Sequence, residues 1–126
     1  LRLGLEVAAP VLDIQCTHFA GHRPFCVEHR LINLAAVPDV AAETFEQEAT
    51  GQWLLNRVPW SAAEHTIRAV SADEGIALAL GVAIGTACLT VERRTSSNGA
   101  YITHVRFIYP GERHALVANF MPSQPK

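Results

Sequence analysis

The chain has 126 residues, of which 49% are apolar and 17% charged. That length fits one domain with a packed core and argues against disorder. The net charge is -2 with a pI near 6.3 and no run of Lys or Arg, so the basic footprint that phosphate contacts require is missing. The longest apolar stretch, Gly75 to Leu89, is interrupted by three glycines and is shorter than the roughly 20 residues that span a bilayer.

Val11 to Phe19 reads as a strand. Leu12, Ile14, Cys16 and His18 share one face by the two-residue period, and Asp13, Gln15 and Thr17 the other. Ala20 to Pro24 is a turn, and Phe25 to Leu34 is the returning strand. A loop at Ala35 to Val40 follows, where Pro38 ends regular pairing. Ala41 to Ala49 is acidic and helix-permissive. Thr50 is placed to cap a short helix at Gly51 to Arg57, which Pro59 stops.

Ser61 to Val70 is ambiguous, since its alanines favour a helix while Thr66, Ile67 and Val70 suit a strand; its latter part is assigned to a strand. Ser71 with Glu74 has capping-box spacing for a helix reaching Leu80, and Gly81 is a natural stop. Ala87 to Thr95 and Ala100 to Tyr109 form a hairpin around Ser96-Ser97-Asn98-Gly99, with Asn-Gly as the strong turn signal. Pro110-Gly111 turns the chain, and Ala115 to Phe120 reads as a last strand.

Hairpins with helices between them predict an α+β domain built on an antiparallel sheet with helices packed on it. The segment Leu3 to Leu12 also aligns with Leu80 to Leu89 at an offset of 77 residues, each followed by a strand, a Gly-containing turn and a second strand. This predicts two related hairpin units sharing one sheet. By the same echo a helix equivalent to Asp73 to Leu80 is expected before Leu1, and the start at Leu1 reads as that of an excised fragment.

Enzyme signatures are absent: there is no G-x-S-x-G, H-E-x-x-H, Walker loop or G-x-G-x-x-G. Six histidines are scattered without a helical i, i+4 pair. Three cysteines, Cys16, Cys26 and Cys88, form no C-x-x-C. Buried reduced thiols are therefore expected, with no disulfide framework, metal site or cofactor. Glu64-His65 is a poor acid–base pair, because adjacent side chains diverge.

The segments Cys16-Thr17-His18-Phe19, Arg23 to Asn33, Gly51 to Leu55, Val58 to His65, Leu80 to Thr95, Thr103 to Arg106 and Tyr109 to Glu112, taken in order, resemble the UTRA domain of GntR-family, HutC-subfamily transcription repressors. The Glu-His after Pro-Trp points to the branch controlling histidine utilization. The resemblance implies a chorismate lyase-like fold spanning residues 1–126 as a single effector-binding domain. It also implies a ligand pocket against the sheet, an N-terminal winged-helix DNA-binding domain outside this sequence, and a cytoplasmic homodimer. Its effector would be urocanate or a similar small imidazole acid.

In sugar-phosphate-sensing relatives two arginines on the first strand hold phosphate; here those positions fall at Cys16 and His18, which disfavours a phosphate. The relatives' glutamate on the second strand matches Glu28. Their penultimate-strand glutamate falls at Thr103 and their following tyrosine at Tyr109. A pocket residue at the start of the middle helix falls at Gln52.

Alternation adds to this set. Thr103, Val105, Phe107 and Tyr109 share a face, and the echo makes Cys26, Glu28, Arg30 and Ile32 the equivalent face. Glu28, Arg30, Thr103 and Tyr109 are thus expected in one cavity, or Glu28 and Arg30 form a structural ion pair at the sheet rim. Arg93, following Leu89 and Val91, offers a bidentate donor for a carboxylate or else an exposed strand-end charge. His18 either binds ligand or closes the strand face. Trp60 and Tyr101 either stack on an imidazole ring or pack. Arg106 and His104 belong to the opposite face. The expected site is Cys16, His18, Glu28, Arg30, Gln52, Arg93, Thr103 and Tyr109, in a sensor rather than an enzyme. The rivals are an enzyme of chorismate-lyase type and a purely structural dimerisation domain.

Overall fold

The computed structural model describes residues 10–42, 49–58 and 60–122. Five strands, β1 (Val11–Ala20), β2 (Arg23–Asn33), β3 (Ala62–Ser71), β4 (Ala87–Ser97) and β5 (Ala100–Pro110), form one sheet in the order β1-β2-β5-β4-β3. Every neighbouring pair is antiparallel. Helix α1 (Thr50–Arg57) and helix α2 (Glu74–Leu80) complete the α+β domain, with a single 3-10 turn at Pro38–Ala42.

The internal echo is architectural. Shifting β1 and β2 by the 77-residue offset lands them on β4 and β5, and the two hairpins meet edge to edge through β2 and β5. The second hairpin closes through Asn98 and Gly99, both at positive φ (51° and 83°), as a tight primed turn demands.

Each helix covers a different side of the sheet. Ile32, Val37, Val40, Trp53, Leu54 and Ile102 form one core under α1. Ala72, Ala77, Leu80, Cys88 and Ile108 form the other under α2. A register shift beside Thr95 and Ser96 brings the extra residue Ile102 onto the α1 core next to Thr103.

Several local expectations are corrected. The Asp73 carboxylate, not Ser71, caps α2, accepting from the Ile76 N–H at 2.8 Å. Ser71 is still paired with Ala87 in the sheet, so its backbone is unavailable as a cap. Thr50 lies inside α1, whose N-cap is Ala49 with no side-chain bond. Ser61–Val70 resolves as strand from Ala62 onward, because β4 offers an unbroken register from Ser96 to Ala87 that outweighs alanine's helical preference.

The expected strand at Ala115 to Phe120 does not form. Both sides of β5 are already paired, and Leu116, Val117 and Phe120 are exposed. Gly81 ends α2 at φ 67° as expected. Pro59 and most of Ala41 to Ala49 lie outside the described residues.

Candidate functional site

Strict alternation plus the register assigns one face of the sheet. Cys16 stands opposite Glu28, and His18 opposite Cys26. Glu28 stands opposite Phe107, and Arg30 opposite Val105. Arg93 stands opposite both Val105 and His65. Cys16, His18, Glu28, Arg30, Arg93, Thr103 and Tyr109 therefore share the face that α1 covers at one end.

At its centre Glu28 and Arg30 are only 4% and 3% exposed, so neither charge is held by water. Arg30 donates from Nε to Glu28 Oε2 at 3.0 Å, and His18 Nε2 lies 2.9 Å from Glu28 Oε1. Cys16 Sγ is 3.6 Å from the same His18 nitrogen. The ion pair is thus a buried device on the site face, not a bridge at the sheet rim. Gly51 explains how α1 approaches it: a Cβ there would lie 3.3 Å from an Arg30 nitrogen.

Two adjoining cavities open on this face. The larger, about 440 Å³, is lined by His18, Cys26, Glu28, Gln52, Phe107 and Tyr109, among others. The smaller, about 170 Å³, is lined by Trp60, His65, Thr95 and Thr103, among others. Arg30, Gly51 and Arg93 line both. The four residues expected in one cavity therefore share a face but divide between two spaces, with Thr103 in the smaller and Glu28 and Tyr109 in the larger. Thr103 is held by a hydroxyl–hydroxyl bond to Thr95 at 2.7 Å. Cys16 lies behind His18, and Gln52 rims the larger cavity from α1.

Arg93 has neither a hydrogen bond nor an ion pair among the described residues. Glu28 offsets the charge of Arg30, so the Arg93 guanidinium leaves the larger cavity with one excess positive charge. The floor is less polar. Tyr109 stacks on His114 with ring centroids 3.7 Å apart, and burial first, then neighbouring Cys26, pushes its phenol up to about 12. Burial likewise pushes the Cys26 thiol to about 11, and burial with the Glu28 charge raises that of Cys16. All three cysteines are free, with Cys26 and Cys88 buried and Cys16 half-buried.

Trp60 lines the smaller cavity, whereas Tyr101 falls on the opposite face under Arg94, 5.0 Å from its ring centroid. His104 and Arg106 also face that way, His104 lying 3.5 Å from Glu92. Sequence reasoning missed Phe25, Gly51, His65, Thr95 and Phe107 as cavity residues. The alternation of β5 already carried Phe107. His65 was hidden because the ambiguous reading of β3 left it without a face.

The UTRA domain family model matches residues 1–115. The chain is 30% identical over 120 residues to the histidine utilization repressor of Pseudomonas putida, covering 95% of this chain and 48% of that protein. It is 29% identical over 133 residues to the histidine utilization repressor of Pseudomonas aeruginosa, covering 95% and 53%. The chain thus spans about half the length of the curated relatives it matches. Among solved structures, the C-terminal domain of the histidine utilization repressor from Pseudomonas syringae pv. tomato superposes with a TM-score of 0.87 at 28% identity, over 94% of this chain and 84% of that one.

Proposed function

Since this chain belongs to the UTRA domain family, we propose that it is the effector-sensing domain of a bacterial transcription repressor of histidine utilization genes. Its relatives are repressors, not enzymes, and it is a regulatory domain rather than a catalyst. No helix among the described residues is long and apolar enough to cross a membrane. In the whole regulator, acting in the cytoplasm as a homodimer, an N-terminal domain binds the operator. Effector binding here biases the dimer toward the state that releases DNA.

The proposed effector is urocanate or a close imidazole acid. One observation carries this reading: the guanidinium of Arg93, without an ion-pair partner among the described residues, shares a cavity with the buried carboxylate of Glu28. A planar acid satisfies both ends. Its carboxylate takes the bidentate donors of Arg93, and its imidazole N–H donates to Glu28 while the ring lies against Phe107 and Tyr109. Cys16 and His18, at the positions where the family resemblance implies arginines in phosphate-sensing relatives, leave too little positive charge for a dianion. A cavity of about 440 Å³ has the size of ordinary small-ligand sites.

Calorimetry and thermal shift with urocanate, histidine and the phenyl analogue cinnamate test the reading. Urocanate is expected to bind, cinnamate to bind at least about tenfold more weakly for want of the donor to Glu28, and Arg93→Ala to cost about 1.5–3 kcal/mol of affinity. No heat with any of these acids would favour a purely structural dimerisation domain. Turnover of the ligand would favour an enzyme of chorismate-lyase type.

A further inference from the structure

The sequence offers no linear metal motif, yet the β1–β2 hairpin gathers three different donor atoms. Cys16 Sγ, His18 Nε2 and a Glu28 carboxylate oxygen all lie within 4.8 Å of one another. Cys16 and Glu28 are register partners on neighbouring strands, and His18 is the next residue on the Cys16 face. We propose that Cys16, His18 and Glu28 form a binding site for a zinc-class divalent cation, with a fourth coordination position open.

The spacing suits such an ion. Zinc bonds of about 2.3 Å to sulfur and about 2.0–2.1 Å to nitrogen, at a tetrahedral angle, separate the two donors by about 3.6 Å. The observed Cys16 Sγ to His18 Nε2 distance is 3.6 Å. The His18 Nε2 to Glu28 Oε1 distance of 2.9 Å is that of a hydrogen bond. An ion entering there spreads that pair by about 0.4 Å to reach the tetrahedral edge, a movement within reach of side-chain torsions.

Arg30 already grips the other oxygen, Oε2, at 3.0 Å, leaving Oε1 directed toward His18. This is how outer-shell partners orient a ligating carboxylate. A thiolate, imidazole and carboxylate set excludes the hard cations Mg²⁺ and Ca²⁺, which take all-oxygen shells. Cys16 and His18 are half-buried, so an ion can reach them from solvent. On binding, the Cys16 thiol releases its proton, and the His18 ring carries its remaining proton on Nδ1, freeing Nε2.

The metal site shares Glu28 with the proposed effector site, so the test uses metal alone. The chain, stripped with chelator, is titrated with Co²⁺ and then Zn²⁺ without any organic acid. Expected are one equivalent of Co²⁺ bound, a near-ultraviolet thiolate-to-cobalt absorption, and its loss on stoichiometric Zn²⁺. Cys16→Ser and His18→Ala should each weaken Zn²⁺ binding by at least about 100-fold, beyond what loss of an outer-shell partner gives. Cys88→Ser, under α2 on the opposite face, should leave it unchanged. Absence of the thiolate band in the unmutated chain overturns the proposal however the variants fold, as does Zn²⁺ binding of equal strength in folded Cys16→Ser and His18→Ala. Either result leaves the urocanate reading to its own calorimetry.

Discussion

Tyr109 illustrates how one side chain couples the site to solution conditions. Its ring lies on His114, its hydroxyl is paired with Cys26, and its pKa stands near 12 in place of the ordinary 10. A phenol that holds its proton more tightly folded than unfolded adds stability below pH 10, and that contribution fades as the pH climbs toward 12. Cys26, raised from 9 to about 11, adds a loss beginning one unit earlier. Urea unfolding of the native chain should therefore weaken steadily from pH 9 to 12. In Tyr109→Phe the loss between pH 11 and 12 should disappear, and that between pH 10 and 11 should shrink to the share of Cys26. An identical pH dependence in the two proteins would show that the phenol is not held as described. At this scale much was legible. Glu28, Arg30 and Tyr109 were placed on one face by period together with the internal echo, while the Glu28–Arg30–His18 chain of contacts needed coordinates.

Between β3 and β4, α2 depends on its two ends. It has only seven residues, too few to persist by intrinsic propensity, so the Asp73 cap and the left-handed Gly81 stop matter disproportionately. Asp73→Ala should cost about 1 kcal/mol, read as a lowered thermal midpoint, because the Ile76 N–H loses its acceptor. Ser71→Ala should stay within about 0.5 kcal/mol, since Ser71 is an exposed strand residue. The reverse order would restore the capping-box reading. The sequence reading named Ser71 as the cap; the sheet pairing of Ser71 with Ala87 leaves that role to Asp73. The same competition explains β3, whose alanines are helical in isolation and whose partner strand decides otherwise. Ala115 to Phe120, apolar enough to read as a strand, pairs with no strand, and Leu116, Val117 and Phe120 stay exposed.

Across the whole molecule the sheet separates two jobs. The face under α2 carries the second apolar core beside a polar cluster of Glu92, Arg94 and His104, while the face under α1 carries the buried Glu28–Arg30 pair and the two cavities described above. Ile108→Val, in the α2 core, should therefore cost about 0.5–1.5 kcal/mol in urea unfolding and leave urocanate affinity within twofold. A matching loss of affinity would mean that the sheet transmits packing changes from one face to the other. The central strands β2 and β5 supply half of the expected site, including its buried ion pair, and each is paired on both sides, which fixes their register.

The amino-acid order alone determined the two hairpins, their 77-residue echo, the glycine stop of α2 and the side-chain face of each hairpin strand. These depend on the two-residue period and on backbone conformations that only a few residue types adopt. Tertiary structure decided which strands are neighbours, and with that everything that joins residues distant along the chain. The β2–β5 pairing brings Arg30 beside Val105 and so near Arg93. The β1–β2 register gathers Cys16 and His18 about Glu28. The bulge near Thr95 and the approach of α1 at Gly51 leave two spaces where periodicity predicted one. Periodicity assigns a residue to a face, but distance across a sheet depends on strand order and register, which arise from burying both faces at once.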